Sequence, residues 1–262
     1  MKLRIYQVDA FTDKLFCGNP AAICPLENWL PDGMLQNIAQ ENNLAETGFY
    51  VKNGDHYQLR WFTPTVEVDL CGHATLAAAY VLFNHENHPG DEINFHSHRS
   101  GPLKVTRTNG QLTLNFPTDV FQVVPLTAAL LKCFDPEPIK AYRGKADYLL
   151  LFNSEADIKE LQPNLNQIAK LDSRGVIATA KGENVDFVSR WFGPRVGVNE
   201  DPVTGSAHTT LTPFWAKELG KDELTAIQLS SRKGHLFCKL LGNRVEISGK
   251  ARTYLTGEIE TA

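Results

Sequence analysis

Apolar and polar residues alternate from the first residues of the chain, in Leu3-Arg-Ile-Tyr-Gln-Val8. The same period of two recurs at residues 46–51, 57–62, 92–95, 103–106 and 112–116, and strand-like runs there are separated by the turn signals Asn53-Gly54-Asp55 and Asn109-Gly110. Such spacing predicts antiparallel hairpins. A helix fits residues 31–42, with Pro31 and Asp32 in its first turn, and a second fits the Ala- and Leu-rich residues 74–84. The second half repeats the mix. Strands are expected at 148–152, 175–179, 186–192, 226–230, 236–241 and 244–248, and helices at 127–133, 155–161, 165–170 and 207–219. Pro213 inside the last helix predicts a bend or a late start. The predicted class is α+β.

The two halves share more than composition. Residues 60–68 read Arg-Trp-Phe-Thr-Pro-Thr-Val-Glu-Val and residues 190–198 read Arg-Trp-Phe-Gly-Pro-Arg-Val-Gly-Val. Each segment leads through an acidic stretch to a Gly-x-Ala, Gly72-His73-Ala74 or Gly205-Ser206-Ala207, and then to a helix-like run. Two tryptophans in matched frames favour duplication over coincidence. The chain is therefore expected to form two domains of one fold, residues 1–116 and 117–250, with 251–262 a possible last strand of the first. Residues 117–138 hold Pro117, Pro125, Pro136 and Pro138 and form the natural link. Two facing domains would leave a cleft, a common place for a ligand.

Composition narrows the function. The chain has 262 residues, 42% hydrophobic and 21% charged, with a net charge of -4 and no basic run, so nucleic acid is an unsuitable partner. No stretch approaches the ~18 apolar residues of a membrane helix and the start does not resemble a signal peptide, so a cytoplasmic protein is expected. The five cysteines, Cys17, Cys24, Cys71, Cys133 and Cys238, are widely spaced, which argues for free thiols and against a metal or redox site.

Each Gly-x-Ala turn opens a helix, where unsatisfied N–H groups and the helix dipole favour an anion. A plain helix start is the alternative for either glycine alone. Ionisable residues flank both turns: Glu67, Asp69, Cys71 and His73 in one half, Glu200, Asp201, Ser206 and His208 in the other. Such groups serve proton transfer when their pKa lies near working pH. Glu46 stands elsewhere, in Asn43-Leu-Ala-Glu-Thr-Gly-Phe49, between a helix end and an apolar strand. By pattern it is either an exposed edge residue or a carboxylate with a function.

Several motifs together resemble the PhzF-like family, named for the phenazine-biosynthesis isomerase. They are Val8-Asp-Ala-Phe-Thr12, Phe16-Cys-Gly-Asn-Pro-Ala-Ala-Ile23, Asn43-Leu-Ala-Glu-Thr47, Leu70-Cys-Gly-His-Ala-Thr75, Asn199-Glu-Asp-Pro-Val-Thr-Gly-Ser-Ala-His208 and Gln228-Leu-Ser-Ser-Arg232. The resemblance implies the diaminopimelate-epimerase-like fold: two pseudo-symmetric domains, each a mixed, barrel-like sheet around a central helix, with the site between them. It also implies no cofactor and no metal, a homodimer, and a small carboxylate as substrate. Glu46 falls on the family's proton-shuttling glutamate, His73 and Asp201 on its supporting groups, and Gly72, His73, Gly205 and Ser206 on its carboxylate-binding backbone.

Two positions depart from the phenazine enzyme: Ala45 replaces a serine, and Arg232-Lys233-Gly234 replaces Arg-Gly-Gly. Related racemases use a cysteine at each turn. Here Cys71 fills the first position and the second loop has none, which excludes a two-thiol mechanism and leaves Cys71 with Asp201 as an alternative pair. A binding or scaffold protein that keeps the fold without turnover is the alternative of a different class.

Overall fold

In the computed structural model, residues 1–261 are described, and they form two compact units. Unit 1 comprises Met1–Asn115 with the described residues from Ser248 onward, and unit 2 comprises Phe116–Ile247.

Unit 1 runs β1 (Lys2–Ala10), β2 (Asn19–Leu26), α1 (Asp32–Asn42), β3 (Glu46–Asn53), β4 (His56–Phe62), β5 (Glu67–Val68), α2 (Gly72–Asn84), β6 (Glu92–Ser97), β7 (Gly101–Thr108) and β8 (Gln111–Pro117). Unit 2 continues with β9 (Gln122–Val124), α3 (Ala128–Leu131), β10 (Phe134–Asp135), β11 (Lys140–Arg143), β12 (Asp147–Leu151), α4 (Glu155–Glu160), β13 (Gln162–Pro163) and α5 (Leu165–Ile168). Then come β14 (Gly175–Lys181), β15 (Phe187–Gly193), a 3-10 turn (Pro194–Val196), β16 (Val198–Asp201), α6 (Gly205–Leu219), β17 (Glu223–Gln228), β18 (Gly234–Leu241) and β19 (Arg244–Gly249). The last strand, β20 (Ala251–Glu260), pairs antiparallel with β1 and closes unit 1.

The two units repeat one plan. In unit 1, β2 pairs parallel with β3 after the α1 crossover, and β3 pairs antiparallel with β4. In unit 2, β12 pairs parallel with β14 after α4 and α5, and β14 pairs antiparallel with β15. A parallel pair requires such a crossover, and its first strand is buried on both faces. That explains β2, whose apolar residues 19–26 do not alternate and contain two prolines, and which periodicity alone does not reveal.

The central helix of unit 1, α2, is buried along most of its length, from His73 through Ala79, and packs on β1, β2, β3, β7 and β20. Its run of three alanines, Ala77–Ala79, permits close approach on every side, which suits a helix surrounded by strands. In unit 2, α6 packs on β17 and β18 and buries Leu211, Phe214 and Trp215. Pro213 does not delay α6, which starts at Gly205. The Thr209 carbonyl, four residues before the proline and so denied its usual helical donor, accepts the Asp119 N–H at 3.1 Å. α1 and α4 each cover a second cluster, led by Leu35, Phe49 and Phe62 in unit 1 and by Ile158, Phe152 and Phe192 in unit 2.

The repeated hexapeptides do the same work twice. Arg60 makes a bidentate pair with Glu67, at 2.7 and 2.9 Å, and Arg190 makes one with Glu200 at the same two distances. Each guanidinium also lies over a neighbouring ring, Phe62 at 5.1 Å and Phe192 at 5.0 Å. The one-to-one match ends at the prolines. Unit 2 spends the 3-10 turn before its return strand, so Trp61 pairs with Val68 and Trp191 with Asp201. Glu67 and Glu200 are thus counterparts, and Gly72 and Gly205 follow each of them by the same interval.

Candidate active site

Local folding brings Glu46, Cys71, Gly72 and His73 together in unit 1. α1 ends on Asn43, which takes the left-handed conformation (φ 48°) and lets the chain turn at once into β3, whose first residue is Glu46. β3 lies beside β2, with Ala21 opposite Glu46. The loop leading into β2 turns at Gly18 (φ 69°), where a Cβ would lie 2.2 Å from the Ala10 carbonyl oxygen, so only glycine fits. The next residue, Asn19, is buried, and its Nδ2 donates to His73 Nδ1 at 3.2 Å.

His73 is the second residue of α2 and is 5% exposed. Its Nδ1 also lies 3.4 Å from Cys71 Sγ. On the other side of the ring, Nε2 lies 3.1 Å from Glu46 Oε2. The two atoms are at ion-pair distance but off the line of a hydrogen bond, and neither has a hydrogen-bond partner among the described residues. An amide Nδ2 can only donate, so in the neutral ring Nδ1 accepts and the ring proton sits on Nε2, facing Glu46. Burial works against a second proton on this ring. The Cys71 sulfur and the Glu46 carboxylate outweigh it, and the His73 pKa stands well above its ordinary value. In either charge state Nε2 carries the hydrogen that faces Glu46.

Cys71 is the residue before α2 and is 6% exposed. Burial pushes its thiol pKa up, and the nearby Glu46 carboxylate adds to the rise. Glu46, Cys71 and His73 offer atoms within 4.8 Å of one another, a spacing a metal ion could use. The imidazole, however, turns Nδ1 to Asn19 and Cys71 and Nε2 to Glu46. The sulfur and the carboxylate thus face different edges of the ring, and a metal ion held by all three residues would use one of its nitrogens.

Unit 2 assembles Asp201, Gly205 and Ser206. β16 ends on Asp201, whose Oδ2 accepts the Thr204 hydroxyl at 2.5 Å. Gln228 fixes the turn, receiving the Thr204 N–H at 2.8 Å and donating to the Asp201 carbonyl at 2.8 Å. Gly205 and Ser206 open α6, and no side chain caps it; α2 is likewise uncapped by a side chain. The first N–H groups of both helices therefore have no intrahelical acceptor. Thr204 occupies the place that Cys71 holds in unit 1.

Four flanking residues have structural tasks. Glu67 and Glu200 are consumed by Arg60 and Arg190, and exposed Asp69 pairs with Arg99 at 3.1 Å. His208 is fully buried, donates from Nδ1 to the Thr204 carbonyl at 2.8 Å, and has its pKa pushed down to about 4 by burial. It is the counterpart of Thr75, whose hydroxyl bonds the Cys71 carbonyl at 2.6 Å. Two residues of the site carry no role by motif alone. Asn19 sits inside a family motif, and Arg174 has no motif; its guanidinium donates to Ser206 Oγ at 3.0 Å.

Comparison with known proteins agrees with this architecture. The fold and the paired turns define the phenazine biosynthesis-like class of isomerases. The chain belongs to that family, PhzC-PhzF, whose match covers residues 8–257. A Pseudomonas aeruginosa protein named an uncharacterized isomerase is 49% identical over 259 residues, 99% of each chain. A PhzF-family protein of Enterococcus faecalis superposes with a TM-score of 0.97 at 45% identity over 100% of both chains. A hydroxyproline epimerase of Agrobacterium vitis, covering 98% of this chain and 92% of its own, shares the fold at a TM-score of 0.63 and 8% identity. The protein is an isomerase. Among the described residues, no helix is long and apolar enough to cross a membrane.

Proposed function

We propose that this isomerase moves a proton within a small carboxylate-bearing substrate, with Glu46 as general acid and base. One observation carries the proposal. Glu46 Oε2 and His73 Nε2 lie 3.1 Å apart with their hydrogen-bonding capacity unspent. A buried polar pair normally finds partners, and an exception invites a functional explanation. The Glu46 side chain keeps 18% of its surface, so solvent and small molecules reach it.

The chemistry is simple. The Glu46 carboxylate takes a proton from a carbon activated by a neighbouring carboxyl or carbonyl group, and the C–H electrons move into that group. The Glu46 carboxyl, open to exchange with solvent, then returns one proton to another carbon, so no atoms are gained or lost overall. His73 Nε2–H steadies Glu46 while it is charged, and Asn19 holds the ring in the tautomer that permits this. The uncapped N–H groups of Gly72 and His73 suit an anion, and those of Gly205 and Ser206 do likewise in unit 2. Asp201 supports its turn through Thr204. By family resemblance the enzyme works without a cofactor, as a homodimer.

The Cys71–Asp201 racemase mechanism is less favoured, since burial and Glu46 both keep Cys71 a thiol. The test is to incubate the protein in D2O with small amino- and hydroxy-carboxylates and to look for gain of one deuterium by mass spectrometry. Glu46→Gln should abolish that gain while Cys71→Ser retains it. The reverse pattern would establish the thiol mechanism.

A further inference from the structure

The strand registers identify which residue of unit 2 corresponds to each residue of the Glu46 cluster. Gly48 lies opposite Trp61, and Ile177 lies opposite Trp191. Counting back two residues from each partner pairs Glu46 with Gly175. One step further pairs Ala45 with Arg174. The parallel neighbours agree: Ala21 lies opposite Glu46, and Asp147 opposite Gly175.

Unit 2 has therefore replaced Ala-Glu at this place with Arg-Gly. The Arg174 guanidinium is clamped from behind. Its Nε donates to Asp147 Oδ1 at 3.0 Å and its Nη2 to Asp147 Oδ2. Asp147 is buried and also accepts the Trp191 indole N–H at 3.1 Å. From this anchor Nη1 reaches forward and donates to Ser206 Oγ at 3.0 Å.

A guanidinium has donors and no acceptor, so the Ser206 oxygen must accept from it. The serine hydrogen is then turned away from Arg174. Ser206 is exposed, and its hydroxyl donates to no group among the described residues. An exposed serine hydroxyl ordinarily rotates freely. Here a buried carboxylate, an indole and a guanidinium hold one in a single role, as a donor to something outside the unit.

We infer that Arg174 is a positioning residue: braced by Asp147, it fixes the Ser206 hydroxyl as a hydrogen-bond donor to the substrate's carboxylate at the start of α6. The inference rests on the carboxylate-binding role proposed for Gly205 and Ser206. It also accounts for the loss of a charged residue at position 175, since the Asp147–Arg174 pair occupies that end of β14.

The test is titration of the isotopically labelled full-length protein with benzoate, with benzamide as the neutral control, following the amide signals of Gly205 and Ser206 by NMR. Benzoate should shift both signals with a saturable isotherm, and benzamide should not. Ser206→Ala and Arg174→Lys should each weaken benzoate about 5- to 10-fold, the range of one lost hydrogen bond in an exposed site. The double variant should bind no more weakly than Ser206→Ala alone, because Arg174 acts through the hydroxyl. Losses that multiply would overturn the inference by showing that Arg174 meets the ligand directly. Unchanged binding in Arg174→Lys with a lowered Tm would overturn it by showing a purely structural ion pair. In both cases the carboxylate site itself survives. No response to benzoate in the unaltered protein would remove that site and the inference together, while the Glu46 deuterium experiment would still stand or fall separately.

Discussion

The starts of the two central helices are built to one plan and loaded differently. In unit 1 the second helical residue is His73, held by Asn19 and facing Glu46. In unit 2 it is Ser206, held by Arg174. The difference has a steric origin one strand away. A Cβ at Gly175, the counterpart of Glu46, would lie 2.4 Å from the Trp191 ring. Trp191 leans over that position because its indole N–H bonds Asp147. In unit 1 the corresponding position is occupied by Glu46, the first residue of β3, with its full side chain. A duplicated frame thus carries the carboxylate proposed for proton transfer on one side only, because the Trp191 ring and the Phe192 carbonyl oxygen, 2.7 Å from such a Cβ, leave position 175 no room for a side chain.

Substitution at Gly175 and at Gly48 breaks the comparison most sharply. Gly175→Glu should leave unit 2 unable to fold, visible as loss of soluble protein. Gly175→Ala should cost about 2–3 kcal/mol in denaturant unfolding, the range for overpacking a rigid ring. Gly48→Ala meets only the flexible end of Ile23, at 3.1 Å, and should cost below ~1 kcal/mol. Equal losses at the two sites would mean that both the Trp191 ring and the Phe192 carbonyl can give way.

The matched ion pairs should differ by a smaller margin. Glu67 serves Arg60, Arg99 and His98, whereas the ion pair of Glu200 is with Arg190. Glu67→Gln should therefore cost about 3 kcal/mol and Glu200→Gln about 2, measured by urea unfolding, since each strands a largely buried guanidinium. A reversed order would show that Asp32, which also pairs with Arg60, compensates in unit 1.

The buried histidines of the two helices should give opposite pH signatures. His208 has its pKa lowered to about 4, so the unfolded chain binds the proton first as pH falls. Its contribution is fully present above about pH 6.5 and declines toward pH 4, by roughly 3 kcal/mol in all. His73 has its pKa raised, so its contribution is present below pH 6.5 and is lost as pH rises through the folded value. His208→Gln should flatten the acid limb of Tm against pH, and His73→Gln the alkaline limb. A change in the opposite limb would contradict the assigned charge states.

Much of this was legible in the chain. The repeated Arg-Trp-Phe frames announced two units of one plan, and alternation located most of the longer antiparallel strands. β2 escaped because a strand buried on both faces has no alternation, and α6 began two residues earlier than periodicity implied because Gly205 and Ser206 are not apolar. Glu46, Cys71 and His73 could be named from motifs, but not their mutual geometry. Asn19 and Arg174 act through partners distant in sequence, at separations of 54 and 32 residues, and no local pattern encodes such a contact. The alignment of Val66 and Val68 with Val196 and Val198 failed past the prolines, where the 3-10 turn in unit 2 shifts the register.

The central claim is that unit 1 carries the base while unit 2 serves binding alone. Once a carboxylate that gains deuterium has been found, steady-state exchange should be measured for Glu46→Gln and Ser206→Ala. Glu46→Gln should lower kcat by at least about a hundredfold, the range for loss of a general base, with binding retained. Ser206→Ala should raise KM several-fold with kcat within about twofold of the unaltered enzyme, the mark of lost uniform binding. Exchange at full kcat in Glu46→Gln would contradict the account outright.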